Sequence, residues 1–393
     1  TMSTKLYGQE KCPDCARVEA WLRENGVEFE KVDVNASEEA FKRAAEAGYG
    51  TPALPTLEGS GRTLTRPGDC ELCTFFGKKL PAKVETDCVI IGGGPAGLTA
   101  ALYLARERIS CVVLEKGTPG GQINNTNEVE NYPGFPQGIV GPELAGKLTH
   151  QARRFGAEVL YPVEVTGVRD DGDMHEVLAG ETVFRTPAVI AATGSDYRRL
   201  GVPGDKELSG RGVSYCATCD GPFFRNKTIA VVGGGNTAVE ESLFLLKFVK
   251  EIHLFHRRGE LTAQKALVEE LLADERVKVN YNHVVQSIEA DEKGVIKCIN
   301  VREKETGAEK CAPVQGVFVF IGRVPNTKCF EGYAGLDEWK FLTTRPDSVE
   351  TGKPGFFVAG DCRSGAKAQI ATAVGDGTLA SFYVRDYLNR KRR

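Results

Sequence analysis

Two glycine-rich turns constrain this chain more than any other feature, because each follows a short apolar strand and opens a helix. The first is Gly92-Gly93-Gly94-Pro95-Ala96-Gly97 after Cys88–Ile91, and the second is Gly233-Gly234-Gly235-Asn236-Thr237-Ala238 after 227–232. In such a turn the first glycine (Gly92, Gly233) makes the bend and the second (Gly94, Gly235) lets the backbone approach a pyrophosphate. The third position (Gly97, Ala238) lets helix and strand pack closely. Pro95, Ala96, Asn236 and Thr237 then stand at helix N-termini, whose orphan N–H groups and partial positive charge face the phosphates. Glu115 ends the next strand, 21 residues beyond Gly94, where a carboxylate accepts hydrogen bonds from ribose hydroxyls. After the second turn the equivalent strand, Glu251–Phe255, runs into His256-Arg257-Arg258, and arginines at that point suit a 2′-phosphate. Two nucleotide-binding units are predicted, the second with a preference for NADPH over NADH.

At 393 residues the chain has room for two or three domains, each able to bury its own core. Fifty basic against fifty-three acidic residues exclude the electrostatic footprint of a nucleic-acid binder, and the basic run 389–393 reads as a solvated end. The charge-free stretch 88–105 is broken by Gly92, Gly93, Gly94, Pro95 and Gly97, so it is not a membrane span. No basic segment followed by an apolar run opens the chain, which predicts a cytoplasmic protein.

The twelve cysteines include three C-x-x-C pairs: Cys12/Cys15, Cys70/Cys73 and Cys216/Cys219. In a reducing compartment that spacing serves redox or metal chemistry more often than structural disulfides. The other six, Cys88, Cys111, Cys298, Cys311, Cys329 and Cys362, are isolated and are expected to be small buried hydrophobes. Cys216/Cys219 lie just before the second nucleotide unit, where a disulfide, once reduced, yields a thiolate that needs a nearby acid. Asp220 is placed for that role. A zinc half-site is the alternative, but no second Cys/His pair lies nearby to complete four ligands.

Several further motifs resemble the low-molecular-weight thioredoxin reductases, in family order. They are Gly120-Gly121-Gln122, Glu128-Val129-Glu130-Asn131, Ala192-Thr193-Gly194, Cys216-Ala217-Thr218-Cys219-Asp220, and Gly360-Asp361 with Gln369-Ile370. The resemblance runs from about 86 to 389 and implies an FAD domain (86–201 and 323–393) interrupted by an NAD(P)H domain (202–322). It implies that Gly121, Gln122, Asn131, Thr193 and Gly194 contribute to the FAD site, and that Asp361 holds the ribityl and pyrophosphate region. Gln369 and Ile370 would lie near the isoalloxazine, and a homodimer is implied. Where the family commonly continues the arginine motif, this sequence has Gly259-Glu260-Leu261-Thr262-Ala263, which predicts an NADPH preference of reduced magnitude.

Residues 1–78 alternate strand and helix at short intervals. Cys12-Pro13-Asp14-Cys15 follows a strand and opens a helix, whose N–H groups and dipole stabilise a thiolate on Cys12, while Cys15 resolves mixed disulfides. With Leu54-Pro55-Thr56, whose proline matches the cis-proline before a strand, this segment resembles a glutaredoxin or mini-thioredoxin. The fold class implied is therefore α/β: a thioredoxin-like (glutaredoxin) domain, a linker at 79–85, and two Rossmann-like domains. Cys70-Glu71-Leu72-Cys73 stands where a glutathione-binding signature is expected. Three readings of that pair compete: an extra dithiol relay to Cys12/Cys15, a four-cysteine zinc or iron–sulfur site, or unrelated surface thiols. The relay is preferred, on the expectation that the helix dipole lowers these thiols.

The function expected is a flavoprotein disulfide reductase that uses FAD and NADPH. Electrons would pass through Cys216/Cys219 to Cys12/Cys15 and on to thioredoxin- or glutaredoxin-type protein disulfides. Two alternatives are a flavoprotein donor to a peroxiredoxin, resembling the alkyl hydroperoxide reductase flavoprotein, and a reductase whose N-terminal module is a metal-binding or docking domain.

Overall fold

A computed structural model describes residues 4–48, 50–59 and 61–392. The N-terminal unit is a four-stranded sheet in the order Phe29–Asp33, Thr4–Gly8, Thr56–Gly59, Arg62–Thr65, with the first pair parallel and the others antiparallel. Its helices Pro13–Glu24 and Glu38–Ala47 start with local caps: Cys12 Sγ accepts from the Cys15 N–H, and Ser37 Oγ from the Ala40 N–H. Leu6, Val18, Leu22, Leu57, Leu64 and Leu72 form its small core. The Leu54–Pro55 bond is cis.

The second unit is built on a parallel sheet, ordered Phe356–Val358, Ala188–Ala191, Cys88–Ile91, Cys111–Leu114, Glu158–Leu160. The first four of these strands are continuously buried, as a sheet covered on both faces requires. On one face lie the helices Pro95–Arg106 and Ile370–Lys391, which approach closely at Gly377, where a Cβ would meet Ala96 O at 2.2 Å. A four-stranded sheet, Lys83–Glu85 with Thr182–Thr186, Met174–Ala179 and Gly167–Asp171, covers the other. The expected linker 79–85 thus contributes a strand, Lys83–Glu85, which pairs in parallel with Thr182–Thr186.

The third unit is inserted in the second. It has a five-stranded parallel sheet, in the order Val213–Ser214, Val317–Phe320, Thr228–Gly233, Glu251–Phe255, Val277–Asn280. A three-stranded antiparallel sheet of His283–Ala290, Ile296–Glu303 and Glu309–Pro313 packs beside it. The chain enters and leaves through one antiparallel pair, Ser195–Tyr197 with Arg323–Pro325. Among the described residues no helix is long and apolar enough to cross a membrane.

Three of the isolated cysteines, Cys88, Cys111 and Cys362, are buried thiols as expected, and Cys329 is half-buried. Cys298 and Cys311 correct that expectation, because they are joined as a disulfide between neighbouring strands.

Candidate functional site

The first glycine turn is built for close approach. Gly92 has φ +109°, and a Cβ there would meet Ala192 O at 2.3 Å, while a Cβ on Gly97 would meet Gly92 O at 2.0 Å. Gly94, by contrast, faces open space, the room a pyrophosphate needs. Glu115 is already engaged with this turn: Oε2 accepts from the Gly93 N–H at 2.7 Å and Oε1 from the Gly117 N–H at 2.7 Å. Gly121 packs against Gly94, its would-be Cβ 3.3 Å from that Cα, and the Gly120 N–H donates to Gly93 O. Thr193 Oγ1 is buried with no hydrogen-bond partner, an orphan polar group beside the same turn. Gly194, at φ +69°, is held through its carbonyl by the Asn326 N–H. Burial pushes the Asp361 carboxyl up, with Arg323 opposing. An open glycine cradle, an acid beside it and an unsatisfied hydroxyl fit a dinucleotide, so these residues are suited to hold FAD.

Farther along, Gln369 is the N-cap of the helix Ile370–Lys391. Its Oε1 accepts from Asn131 Nδ2 at 3.2 Å, and its Nε2 lies 3.7 Å from Cys216 Sγ and 4.0 Å from Cys219 Sγ. Gln122 Nε2 donates to Asp196 Oδ1 at 2.5 Å. The structure therefore brings Asn131, Gln369, Cys216 and Cys219 together although they are scattered along the chain.

Cys216 and Cys219 form a disulfide at the start of the short helix Ala217–Asp220, and the Cys219 N–H points at Cys216 Sγ at 3.1 Å. Burial raises the Asp220 carboxyl, with a hydrogen bond from Ser214 acting the other way. A raised carboxyl next to a dithiol retains its proton nearer neutrality, as a general acid requires. Tyr215, just before the pair, stacks on Tyr197 with centroids 5.4 Å apart and donates to the buried Asp205.

In the second glycine turn, Gly233 has φ +157° and Gly234 faces His256, whose Nδ1 would lie 2.2 Å from a Cβ. Thr262 closes on this turn, its N–H and Oγ1 both donating to Gly234 O, and Asn236 Oδ1 accepts from the Gln264 N–H. Arg257 and Arg258 are exposed beyond the strand Glu251–Phe255.

The N-terminal disulfide Cys12–Cys15 repeats the design: Cys12 caps its helix, and Cys15 is buried. An open cleft lined by Lys11, Cys12, Pro13, Leu54, Arg66 and Phe41 lies over it. Cys70 and Cys73 behave otherwise. The expectation that the helix dipole lowers them is reversed, because burial, then the Glu158 carboxylate, pushes the Cys70 thiol up to about 12. Burial and Asp69 raise Cys73. Among the described residues no group of three or more His, Cys, Asp or Glu is placed to hold a metal ion.

The cause is a contact that nothing in the sequence signalled. The helix Asp69–Phe75 docks on the edge strand Glu158–Leu160, where the Cys70 N–H donates to Glu158 Oε2 at 3.1 Å. Glu71 is buried against Arg153 and accepts from the Val159 N–H at 3.0 Å. A side chain at position 68 would displace Glu158 from this contact, since a Cβ there would fall 2.0 Å from Glu158 Cδ. Burial raises the Glu158 carboxyl to about 7, with the Glu71 charge adding.

Residues 86–377 match the pyridine nucleotide-disulphide oxidoreductase family, and residues 2–62 match the glutaredoxin family. Thioredoxin reductases of Listeria innocua and Bacillus subtilis are 44% and 43% identical over 302 residues. Each alignment covers 77% of this chain, with 93% and 94% of the respective relative. The crystal structure of thioredoxin reductase from Streptococcus pyogenes superposes with a TM-score of 0.74 at 41% identity, over 78% of this chain and 99% of that one. With glycine turns, a dithiol beside Gln369 and these relatives in agreement, the chain belongs to the pyridine nucleotide-disulphide oxidoreductases, as an FAD- and NADPH-using thioredoxin reductase homologue that carries an N-terminal glutaredoxin domain.

Proposed function

We propose that Cys216/Cys219 take the electron pair first and that Cys12/Cys15 carry it onward to thioredoxin-type protein disulfides. The observation that carries this reading is Gln369, whose amide touches both sulfurs of one disulfide and also Asn131. FAD, when bound, supplies a two-electron carrier between the nicotinamide and a disulfide. Gly92, Gly94, Pro95, Ala96, Gly97, Glu115, Gly121, Gln122, Thr193, Gly194 and Asp361 hold it, with Ile370 and Gln369 at its ring end. Gly233, Gly235, Asn236 and Thr237 hold the NADPH pyrophosphate, and Arg257 with Arg258 its 2′-phosphate. Asp220 gives the proton that lets a Cys216/Cys219 thiolate leave as thiol.

Transfer to Cys12/Cys15 runs downhill, from about −270 mV for a thioredoxin-type pair to roughly −200 to −230 mV for a glutaredoxin-type pair. Because the N-terminal domain is anchored by Glu71 and Arg153, the moving partner is the inserted domain, joined through 195–197 and 323–325. It reaches Cys12/Cys15 of its own chain or of a second copy in a homodimer. A cytoplasmic location suits dithiols that cycle on NADPH.

The test is turnover of the FAD-loaded protein with NADPH and either oxidised thioredoxin or an oxidised peroxiredoxin. Cys216→Ser and Cys219→Ser abolish turnover, and Cys12→Ser abolishes it while sparing reduction of Cys216/Cys219. Full turnover by Cys12→Ser refutes the relay, and peroxiredoxin reduction alone moves the reading to that acceptor.

A further inference from the structure

Outside the two C-x-x-C disulfides, the described residues contain a third sulfur–sulfur bond, Cys298–Cys311, with a Cα–Cα distance of 5.7 Å. Cys298 is on the strand Ile296–Glu303 and is 1% exposed, whereas Cys311, on Glu309–Pro313, is exposed. We propose that this bond is a third exchangeable disulfide, opened by a protein dithiol at Cys311, and that its state sets the grip of the inserted domain on NADPH.

The chemistry follows from the asymmetry. Cys311 opens on a small cleft of about 150 Å³ lined by Gln286, Asn300, Glu309 and Lys310. An incoming thiolate reaches Cys311 Sγ from this exposed side. The new bond forms to Cys311 as the Cys298–Cys311 bond breaks, and Cys298 leaves and takes a proton. Its Sγ lies 3.9 Å from Glu289 Oε2 and 3.9 Å from Asn300 Oδ1, both acceptors for the released S–H. The second thiol of the reductant then attacks the mixed disulfide and frees Cys311 as a thiol. Two electrons and two protons pass to the pair, and the dithiol becomes a disulfide. The established activity supplies such a dithiol.

The consequence follows from what the stapled hairpin touches. From the turn after Ile296–Glu303, Lys304 Nζ donates to Arg257 O at 3.5 Å and the Lys304 N–H to Asn282 O at 2.9 Å. The Asn282 N–H donates to Arg258 O at 3.1 Å, and Asn282 Nδ2 to Glu305 Oε1 at 3.0 Å. From the other strand, Lys310 Nζ donates to Asn280 Oδ1 at 2.8 Å. The hairpin thus touches the Arg257 carbonyl directly, through Lys304, and the Arg258 carbonyl through Asn282. Opening the bond removes the covalent staple from the strand Glu309–Pro313, which then keeps its ladder, the buried Ala312 and the Lys310–Asn280 contact, and lets the brace loosen. This step rests on the reading of Arg257 and Arg258 as 2′-phosphate ligands.

The experiment uses the full-length, FAD-loaded protein. After exposure to NADPH, and in a parallel oxidised sample, the protein is acid-quenched, free thiols are alkylated under denaturing conditions, and the peptides containing Cys298 and Cys311 are weighed by mass spectrometry. Both are expected unlabelled in the oxidised sample and labelled in the reduced one, with labelling lost in Cys12→Ser/Cys216→Ser. A pair that stays bonded under NADPH, or that is free in the oxidised sample, overturns the proposal. KM is then compared in Cys298→Ala/Cys311→Ala, with correct folding checked by retained flavin and by unchanged turnover with NADH. A several-fold higher KM for NADPH and an unaltered KM for NADH are expected, and an unaltered KM for both overturns the coupling. Arg257→Ala/Arg258→Ala serves as the control: if it leaves the NADPH KM unchanged, the arginine reading fails while the thiol labelling still decides whether the disulfide exchanges.

Discussion

Nε of Arg153 lies 2.7 Å from Oε1 of Glu71, and this ion pair, with side chains 10% and 1% exposed, joins the glutaredoxin domain to the FAD domain. Both partners are further satisfied: Arg153 Nη2 donates to Val159 O at 3.0 Å, and Glu71 Oε2 accepts from the Gly68 N–H at 3.2 Å. A buried pair costs desolvation to form, but breaking it leaves one uncompensated charge inside. The N-terminal module is consequently a fixed body rather than a bead on a tether.

Arg153→Ala is expected to destabilise the docked arrangement by about 3 to 5 kcal/mol, because Glu71 is left charged and buried. Protease cleavage between residues 77 and 82 should accelerate as the domain lifts away. Arg153→Met combined with Glu71→Leu should restore much of the lost stability, since two apolar side chains leave no orphan charge. If the single variant is cleaved no faster than the parent, the pair does not hold the domains together.

Glu158 makes the same interface sensitive to pH. Its carboxyl is raised by burial from the ordinary 4.5 to about 7, so the folded state binds its proton more tightly than the unfolded chain does. The stabilisation is complete below about pH 4.5 and is lost as pH rises through about 7. The whole change amounts to about 3 kcal/mol. Glu158→Gln retains an acceptor for the Cys70 N–H and removes the titration. The difference in Tm between this variant and the parent should therefore widen from pH 5 to pH 8. A constant difference would show that the carboxyl does not titrate in this range.

The two glycine turns and two of the three C-x-x-C disulfides are legible in the sequence because their geometry is local. Gly92, with φ +109° and Ala192 O only 2.3 Å from a would-be Cβ, tolerates no side chain, and a helix must follow for its N–H groups to meet a phosphate. The Cys12 and Cys216 disulfides likewise need only one helical turn each. At Cys70 the same local logic, a thiol at a helix start, is overridden by burial and then by Glu158, which is 88 residues away in sequence. The Cys298–Cys311 bond is not legible in the sequence, because a separation of 13 residues has no meaning until the strand register is known. Long-range contact chose the outcome in both cases.

A buried thiol at Cys70 has a kinetic signature. Against the ordinary value of 9.0, a pKa of about 12 leaves roughly a thousandfold less thiolate near neutral pH. In fully reduced native protein, iodoacetamide should modify Cys12 rapidly and Cys70 only on the timescale of domain opening. Arg153→Ala should speed Cys70 modification by exposing it. Rapid labelling of Cys70 in the parent would revive the relay through Cys70 and Cys73.

Asp220 supplies the last test, because its raised carboxyl and its place one residue after Cys219 suit it to the proposed role of proton donor. Removing a general acid of this kind costs about 10²- to 10⁴-fold in rate. Asp220→Asn should therefore lower kcat for disulfide reduction by at least about 10²-fold. NADPH-driven bleaching of the flavin precedes the proton step and should keep its rate. Sign matters for the pH profile: the acid acts while protonated, so parent activity falls as pH rises through the raised Asp220 value. The Asn variant, which cannot ionise there, should lose that limb. An unchanged kcat in Asp220→Asn, or a limb that persists in it, would move the proton to another donor.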